Sequence, residues 1–145
     1  GSRPATAKHA REAERVLLRK VGLNPANYRL ADGSGLSLYN YLSAEAEVKL
    51  LRYAYQNENI FHHLYQALPI AGVDGTLKKR MRSTFTRNNV RAKTGTLTGI
   101  SSLAGYCKAA NGHWLSFAII NQGVMHARNA KNFQNRVCTI LCAPN

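Results

Sequence analysis

Lys93, Thr94, Gly95 and Thr96 form the first group of residues whose types and spacing could do chemistry, at the end of a strand-like segment. They combine one ammonium group with two hydroxyls and a flexible backbone position. A Lys-Thr-Gly triplet arises by chance in a chain of this length about a few times in a hundred, so it is weak alone. The plain alternative is that Lys93 is a solvated strand residue and Gly95 a bulge.

A glycine-rich segment at residues 32–35 forms the second group, because it presents Ser37 and Asn40 just before a predicted helix. Without further context these two residues would be ordinary turn residues that satisfy local backbone groups. Asp32 is expected to brace this turn through local hydrogen bonds, and Asp74 a later turn within a third segment, residues 68–77.

Metal chemistry is not indicated. His62 and His63 lie on a predicted helix without ligand partners at metal spacing. The chain has three cysteines, an odd number without a Cys-x-x-Cys spacing, and we expect them to be buried free thiols: Cys107, Cys138 and Cys142. We predict no metal and no cofactor.

The elements that must position these groups change in type along the chain. Helical periodicity occurs over residues 5–21, from a cap at Ser43 to Tyr55, and over residues 59–68 before Pro69. Residues 76–82 are expected to add one or two basic helical turns. After residue 89 the pattern changes to strands at 90–96, 101–108 and 114–121.

A tight hairpin is predicted at Asn111-Gly112, because both residues tolerate positive φ. A last helical stripe over residues 127–141 is suited to lie across the sheet. The sequence therefore predicts an α+β fold in which helices lead into a three-stranded antiparallel sheet with a C-terminal helix packed on it.

The charge is the main competing clue to function. Twenty Lys and Arg against seven Asp and Glu give a net charge of +13 in 145 residues, which would attract polyanions. The basic residues are scattered and accompany no nucleic-acid-binding signature, so we favour a solvated surface and predict no specific nucleic-acid partner. A basic nucleic-acid-binding module remains the alternative. No segment has the apolar run or the pattern of a secretion signal, and Gly1-Ser2 is typical of a cloning scar.

Three segments taken in order carry a family resemblance: ADGSGLSLYN, LPIAGVDGTL and RAKTGTLTGISSLAGY. Together they resemble the class C low-molecular-mass penicillin-binding proteins, the D-alanyl-D-alanine carboxypeptidase and endopeptidase family, from about Ala5 to the C-terminal helix. The resemblance implies that residues 3–145 are the C-terminal part of a penicillin-binding, β-lactamase-like transpeptidase fold. It implies a bacterial periplasmic or cell-envelope protein that acts on peptidoglycan peptides ending in D-Ala-D-Ala and binds β-lactams.

The resemblance also implies roles for the residues that match. Ser37 would relay a proton to the leaving nitrogen, and Asn40 would hydrogen-bond the substrate amide. Lys93 would add positive charge, Thr94 would hold the substrate carboxylate, and the Thr96 N–H would serve the oxyanion hole. Gly95 would let the substrate backbone approach the strand.

Two features depart from the family pattern. Its nucleophile lies in a Ser-x-x-Lys motif, and none of the eight serines here has lysine three residues later. Its second motif is Ser-x-Asn, whereas Ser37 and Asn40 are three residues apart. We therefore expect a fragment that is inactive alone and whose partner is the missing N-terminal part of the enzyme. We also expect that its open sheet edge self-associates or is covered by a repacked terminal segment. A non-catalytic peptidoglycan-binding module is a further alternative.

Overall fold

The computed structural model describes residues 4–37 and 39–144. Within them the helices and strands follow the order α1, α2, α3, β1, β2, β3, α4. Their bounds are Ala7–Lys20 (α1), Ala44–Tyr55 (α2), Glu58–Ala67 (α3), Arg91–Leu97 (β1), Ile100–Lys108 (β2), Trp114–Gln122 (β3) and Ala127–Cys142 (α4), with short 3-10 turns at Pro25–Asn27 and Gly75–Leu77. The predicted α+β class is confirmed. The cloning scar predicted at residues 1 and 2 lies outside the described residues.

The three strands form one antiparallel sheet in the order β1-β2-β3. Lys93 stands opposite Ala104, and Gly95 opposite Ser102, so these four positions share one face of the sheet. The opposite face carries Leu103, which is fully buried. Because side chains alternate between faces, one face is free to build a core while the other carries Lys93.

Helix α4 covers the core face. Gln134 on α4 is fully buried, and its Nε2 donates to Ser101 Oγ at 3.1 Å and to Asn121 Oδ1 at 3.0 Å. Its Oε1 accepts from Arg80 Nη2 at 2.9 Å. These bonds satisfy a buried amide and fix α4 against β2 and β3. The three cysteines lie in this core as buried free thiols, as predicted.

Helices α2 and α3 lie against the other face. The Tyr106 hydroxyl donates to the carbonyl of Leu51 in α2 at 2.6 Å, and burial raises the pKa of Tyr106 to about 12. Phe61 and Tyr65 of α3 pack edge-to-face against Trp114 with centroid separations of 5.6 and 5.2 Å. Tyr55 of α2 joins this aromatic cluster, 5.0 Å from Phe61 and 6.0 Å from Trp114, so the cluster holds both helices against the sheet.

Capping signals in the sequence account for two helix ends. Ser43 Oγ accepts from the N–H of Ala46 at 3.1 Å, so the predicted cap of α2 is confirmed. Helix α1 ends where Gly22 adopts a φ of +78°, with the Leu23 N–H bonded to the Leu18 carbonyl at 2.9 Å.

The predicted β2–β3 hairpin is confirmed. Its connection spans residues 109–113, where Gly112 has a positive φ and Asn111 does not, and Asn111 Oδ1 accepts from the His113 N–H at 3.1 Å. One local prediction was wrong. The basic turns expected at residues 76–82 reduce to the 3-10 turn ending at Leu77. Met81 takes a φ of 52°, which a helix does not allow.

In the part of the chain that the structure describes, no helix has the length and apolar character needed to cross a membrane.

Candidate active site

A groove of about 470 Å³ lies between the glycine-rich loop, strand β1 and the start of α2. The loop contributes Ser34, Gly35 and Leu36, and α2 contributes Glu47. The sheet contributes the remaining lining residues: Lys93, Thr94, Gly95, Thr96, Leu97, Ile100, Ser102 and Ala104. The structure therefore brings the two predicted chemical segments, 60 residues apart in sequence, to one groove.

The Asp32 carboxylate organises the glycine-rich loop. Its Oδ1 accepts from Asn40 Nδ2 at 2.9 Å and from the Gly35 N–H at 3.0 Å, and its Oδ2 accepts from the Ser37 N–H at 3.1 Å. The hydrogen bond from Asn40 is the largest cause that holds the pKa of Asp32 below its ordinary value. Asp32 thus braces the turn, as predicted.

Ser37 and Asn40 make hydrogen bonds within this loop, and neither is among the residues that line the groove. Ser37 Oγ accepts from the Tyr39 N–H at 3.2 Å, which leaves the hydroxyl hydrogen free to donate. Asn40 Oδ1 accepts from the Ala31 N–H at 2.7 Å and from the Asp32 N–H at 3.3 Å. Their catalytic roles stay predictions, because the side chains that reach the groove from the loop are those of its tip.

Strand β1 presents an outer edge to the groove. The Ala92 N–H donates outward, to the Pro69 carbonyl at 3.1 Å. Since backbone groups alternate in direction along an antiparallel strand, the N–H groups of Thr94 and Thr96 point the same way. Thr96 therefore directs a backbone donor away from β2, as an oxyanion hole or an added peptide strand requires.

Lys93 and Thr94 place polar groups along this edge. Lys93 Nζ donates to the Thr94 carbonyl at 2.6 Å, and Thr94 Oγ1 donates to Thr76 Oγ1 at 3.0 Å. The bond to Thr76 was not predicted, because Thr76 lies in a different segment and only the fold brings it to β1.

Gly95 lies beside Ser102 in the lining of the groove. A Cβ atom built at this position would overlap the Ser102 hydroxyl on the neighbouring strand. Glycine therefore makes room for the Ser102 hydroxyl on the face that also carries Lys93.

Glu47 is a groove residue that the sequence did not indicate. Its Oε2 is buried and has no hydrogen-bond partner, and burial raises its pKa. Among residues 4–37 and 39–144, no cation lies within 4.0 Å of this carboxylate. Burial of an unpaired carboxylate oxygen costs free energy, so Glu47 is a liability to folding unless a proton or a ligand compensates it.

Comparison with known proteins decides the family. Residues 1–143 match the model of the D-Ala-D-Ala carboxypeptidase 3 (S13) family. The chain belongs to this family. The family resemblance drawn from the three sequence segments is therefore confirmed.

The D-alanyl-D-alanine carboxypeptidase DacB of Haemophilus influenzae is 40% identical over 117 residues, which cover 79% of this chain and 24% of that protein. The crystal structure of penicillin binding protein 4 (dacB) from the same organism, complexed with a β-lactam, superposes with a TM-score of 0.83 at 34% identity. That match covers 98% of this chain and 34% of the other. The S13-family chain thus spans about a quarter to a third of the proteins it resembles.

An extended-spectrum β-lactamase shares the fold, with a TM-score of 0.60 at 18% identity over 86% of this chain and 55% of that one. The expected penicillin-binding, β-lactamase-like fold is confirmed.

Proposed function

We propose that this chain forms one side of the active site of a serine-type D-alanyl-D-alanine carboxypeptidase or endopeptidase. The observation that carries the proposal is the shared groove, in which the glycine-rich loop faces the outer edge of β1 beside Lys93. Peptidoglycan peptides ending in D-Ala-D-Ala are the proposed substrates, and the proposed compartment is the bacterial periplasm or cell envelope.

Thr94 and Lys93 suit recognition of the substrate carboxylate. The ammonium group of Lys93 lies at the outer edge of β1, 2.6 Å from the Thr94 carbonyl oxygen. The hydroxyl of Thr94 lies along the same edge of β1. An ammonium group and a hydroxyl donor at one edge stabilise a carboxylate through charge-assisted hydrogen bonds. Gly95 lets the peptide backbone lie against the strand, and the Thr96 N–H stabilises the tetrahedral oxyanion.

Ser37 and Asn40 are proposed to act on the leaving group and the substrate amide. The hydroxyl hydrogen of Ser37 is free to enter a proton relay, since its oxygen accepts from Tyr39. Asn40 retains one side-chain N–H beyond the one that it donates to Asp32. Because neither residue lines the groove, the relay needs a small loop movement or a bridging water.

The acyl-enzyme step needs a nucleophile that these 145 residues lack in Ser-x-x-Lys form. We therefore propose that β-lactams acylate the enzyme outside this chain, and that the chain alone is inactive. Incubation with a fluorescent penicillin should leave no covalent label on the isolated chain. A β-lactam-sensitive S13-family enzyme labelled in parallel provides the positive control. A stable adduct on this chain would overturn the fragment interpretation.

The outer edge of β3 supports a proposal about self-association. Among the described residues no strand pairs with that edge, and unpaired strand edges attract other chains. We propose that a second copy of the chain pairs there in solution. Sedimentation should show a concentration-dependent dimer with slowly exchanging β3 amides. A strictly monomeric species whose outer β3 amides exchange rapidly would contradict this.

A further inference from the structure

The segment 69–77, which carries no role in the proposed chemistry, forms a rigid turn beside β1. Asp74 Oδ1 accepts from the Ile70 N–H at 2.6 Å, and the Gly72 N–H donates to the Leu77 carbonyl at 3.0 Å. Leu77 is fully buried in the main core. The turn is therefore closed by its own hydrogen bonds and anchored at its end.

Two further contacts fix this turn against β1 and the residue that precedes it. The Pro69 carbonyl accepts from the Ala92 N–H at 3.1 Å, and the Ala71 N–H donates to the Val90 carbonyl at 2.9 Å. Gly75 has a φ of +49°, and a Cβ atom there would lie 3.1 Å from Pro69 Cβ. The backbone on both sides of Thr76 is thus held by β1 and by close packing.

This rigid backbone sets the Thr76 hydroxyl 3.0 Å from that of Thr94. We propose that Thr76 is a positioning residue that holds the Thr94 side chain in the rotamer that meets a substrate carboxylate. The proposal rests on the function proposed above for Thr94.

The two hydroxyls can exchange the roles of donor and acceptor in their hydrogen bond without movement of heavy atoms. A hydroxyl donates one hydrogen and accepts two, and threonine has few χ1 rotamers. In the free protein Thr94 donates to Thr76. When Thr94 turns its hydrogen to a carboxylate, Thr76 donates its own hydrogen to Thr94 Oγ1. Thr76 thereby keeps Thr94 in place and strengthens it as a donor.

The rotamer of Thr94 tests this without any substrate. Three-bond couplings from Thr94 Cγ2 to its backbone nitrogen and carbonyl report its χ1 populations in solution. We expect one rotamer in the wild type, in Thr76→Ser and in the control Thr98→Val, an exposed threonine in the β1–β2 turn. Thr76→Val keeps the branched shape but removes the hydroxyl, so Thr94 should average over rotamers. A single unchanged rotamer in Thr76→Val would overturn the proposal.

Carboxylate preference gives a second measurement. The ratio of affinities for peptides ending in D-Ala-D-Ala and in D-Ala-D-alaninamide should fall about threefold to tenfold in Thr76→Val, the effect of one hydrogen bond, and recover in Thr76→Ser. An unchanged ratio in Thr76→Val would refute the positioning role. If the wild type shows no carboxylate preference, the proposed function of Thr94 fails, and the rotamer measurement alone decides whether Thr76 orients it.

Discussion

Asn40 and Asp32 close the glycine-rich loop on itself. Asn40 Nδ2 donates to Asp32 Oδ1 at 2.9 Å, while Asn40 Oδ1 accepts the backbone N–H of Asp32 at 3.3 Å. The two residues thus exchange hydrogen bonds in both directions, and the loop tip that lines the groove projects from this clasp. The shape of the groove on this side depends on one exposed carboxylate.

Asp32→Asn should loosen the loop tip. The substitution removes the charge that accepts the N–H groups of Gly35 and Ser37, so these two amides should exchange faster and shift in ¹H-¹⁵N spectra. Glu12→Gln, at an exposed position on α1, is the control and should leave them unchanged. Unaltered Gly35 and Ser37 amides in Asp32→Asn would show that backbone geometry alone holds the loop.

The hydrogen bonds between Asp32 and Asn40 predict a pH dependence of the loop. The folded protein lowers the pKa of Asp32, chiefly through Asn40, so the carboxylate stabilises the loop above its ordinary pKa of 3.8. That contribution is lost as the pH falls through the lowered value. The Gly35 and Ser37 amide shifts should therefore titrate below pH 3.8. A midpoint of this titration above pH 3.8 would contradict the stabilising role of the ionised Asp32 carboxylate.

Glu47→Gln should stabilise the chain at neutral pH. Burial raises the pKa of Glu47 above 4.5, so folding is favoured at low pH and loses free energy as the pH rises through the raised value. We expect a gain of about 1 kcal/mol in unfolding free energy at pH 7, since part of the side chain still reaches solvent.

Urea unfolding between pH 4 and pH 8 measures this effect. The pH dependence should be flatter in Glu47→Gln than in the wild type, and the control Glu12→Gln, at an exposed position on α1, should behave like the wild type. Equal or lower stability of Glu47→Gln across this range would mean that the carboxylate is compensated in solution.

Gly105→Ala should weaken the pairing that carries Lys93. A Cβ atom at Gly105 would overlap the Arg91 carbonyl oxygen and lie 2.6 Å from Ala92 Cα, and backbone atoms cannot move aside as a side chain does. We expect a loss of about 1 to 3 kcal/mol or more in unfolding free energy. Gly33→Ala, whose Cβ would meet nothing within 4 Å, should be nearly neutral. Similar effects for both substitutions would argue against the β1–β2 register.

Local patterns predicted the elements better than they predicted the contacts between them. The strand bounds were correct to within one residue because alternation and glycine turns are local signals. The hairpin at Asn111-Gly112 was correct, although Asn111 itself lacks the positive φ expected of it and its side chain accepts from the His113 N–H. The helical turns expected after Thr76 were wrong because Met81 takes a φ of 52°, which a right-handed helix does not allow.

The residues of the candidate site likewise fall into those that a local sequence pattern predicts and those that only the fold brings together. Lys93 to Thr96 could be found because a short strand motif carries them. Glu47 could not be predicted as a groove residue. The pattern of an amphipathic helix does not indicate that one of its acidic residues lines the same groove as Lys93, which lies 46 residues later in the sequence. The role of Thr76 likewise depends on a hydrogen bond that only the fold creates.

The groove between the glycine-rich loop and β1 is proposed to bind the carboxylate end of a D-Ala-D-Ala peptide. Titration of the ¹⁵N-labelled chain with such a peptide is the decisive measurement. We expect saturable shifts of the Gly35, Gly95 and Thr96 amides at about millimolar affinity, which Thr94→Val abolishes. Shifts that are absent, that lie elsewhere on the molecule, or that survive in Thr94→Val would contradict it.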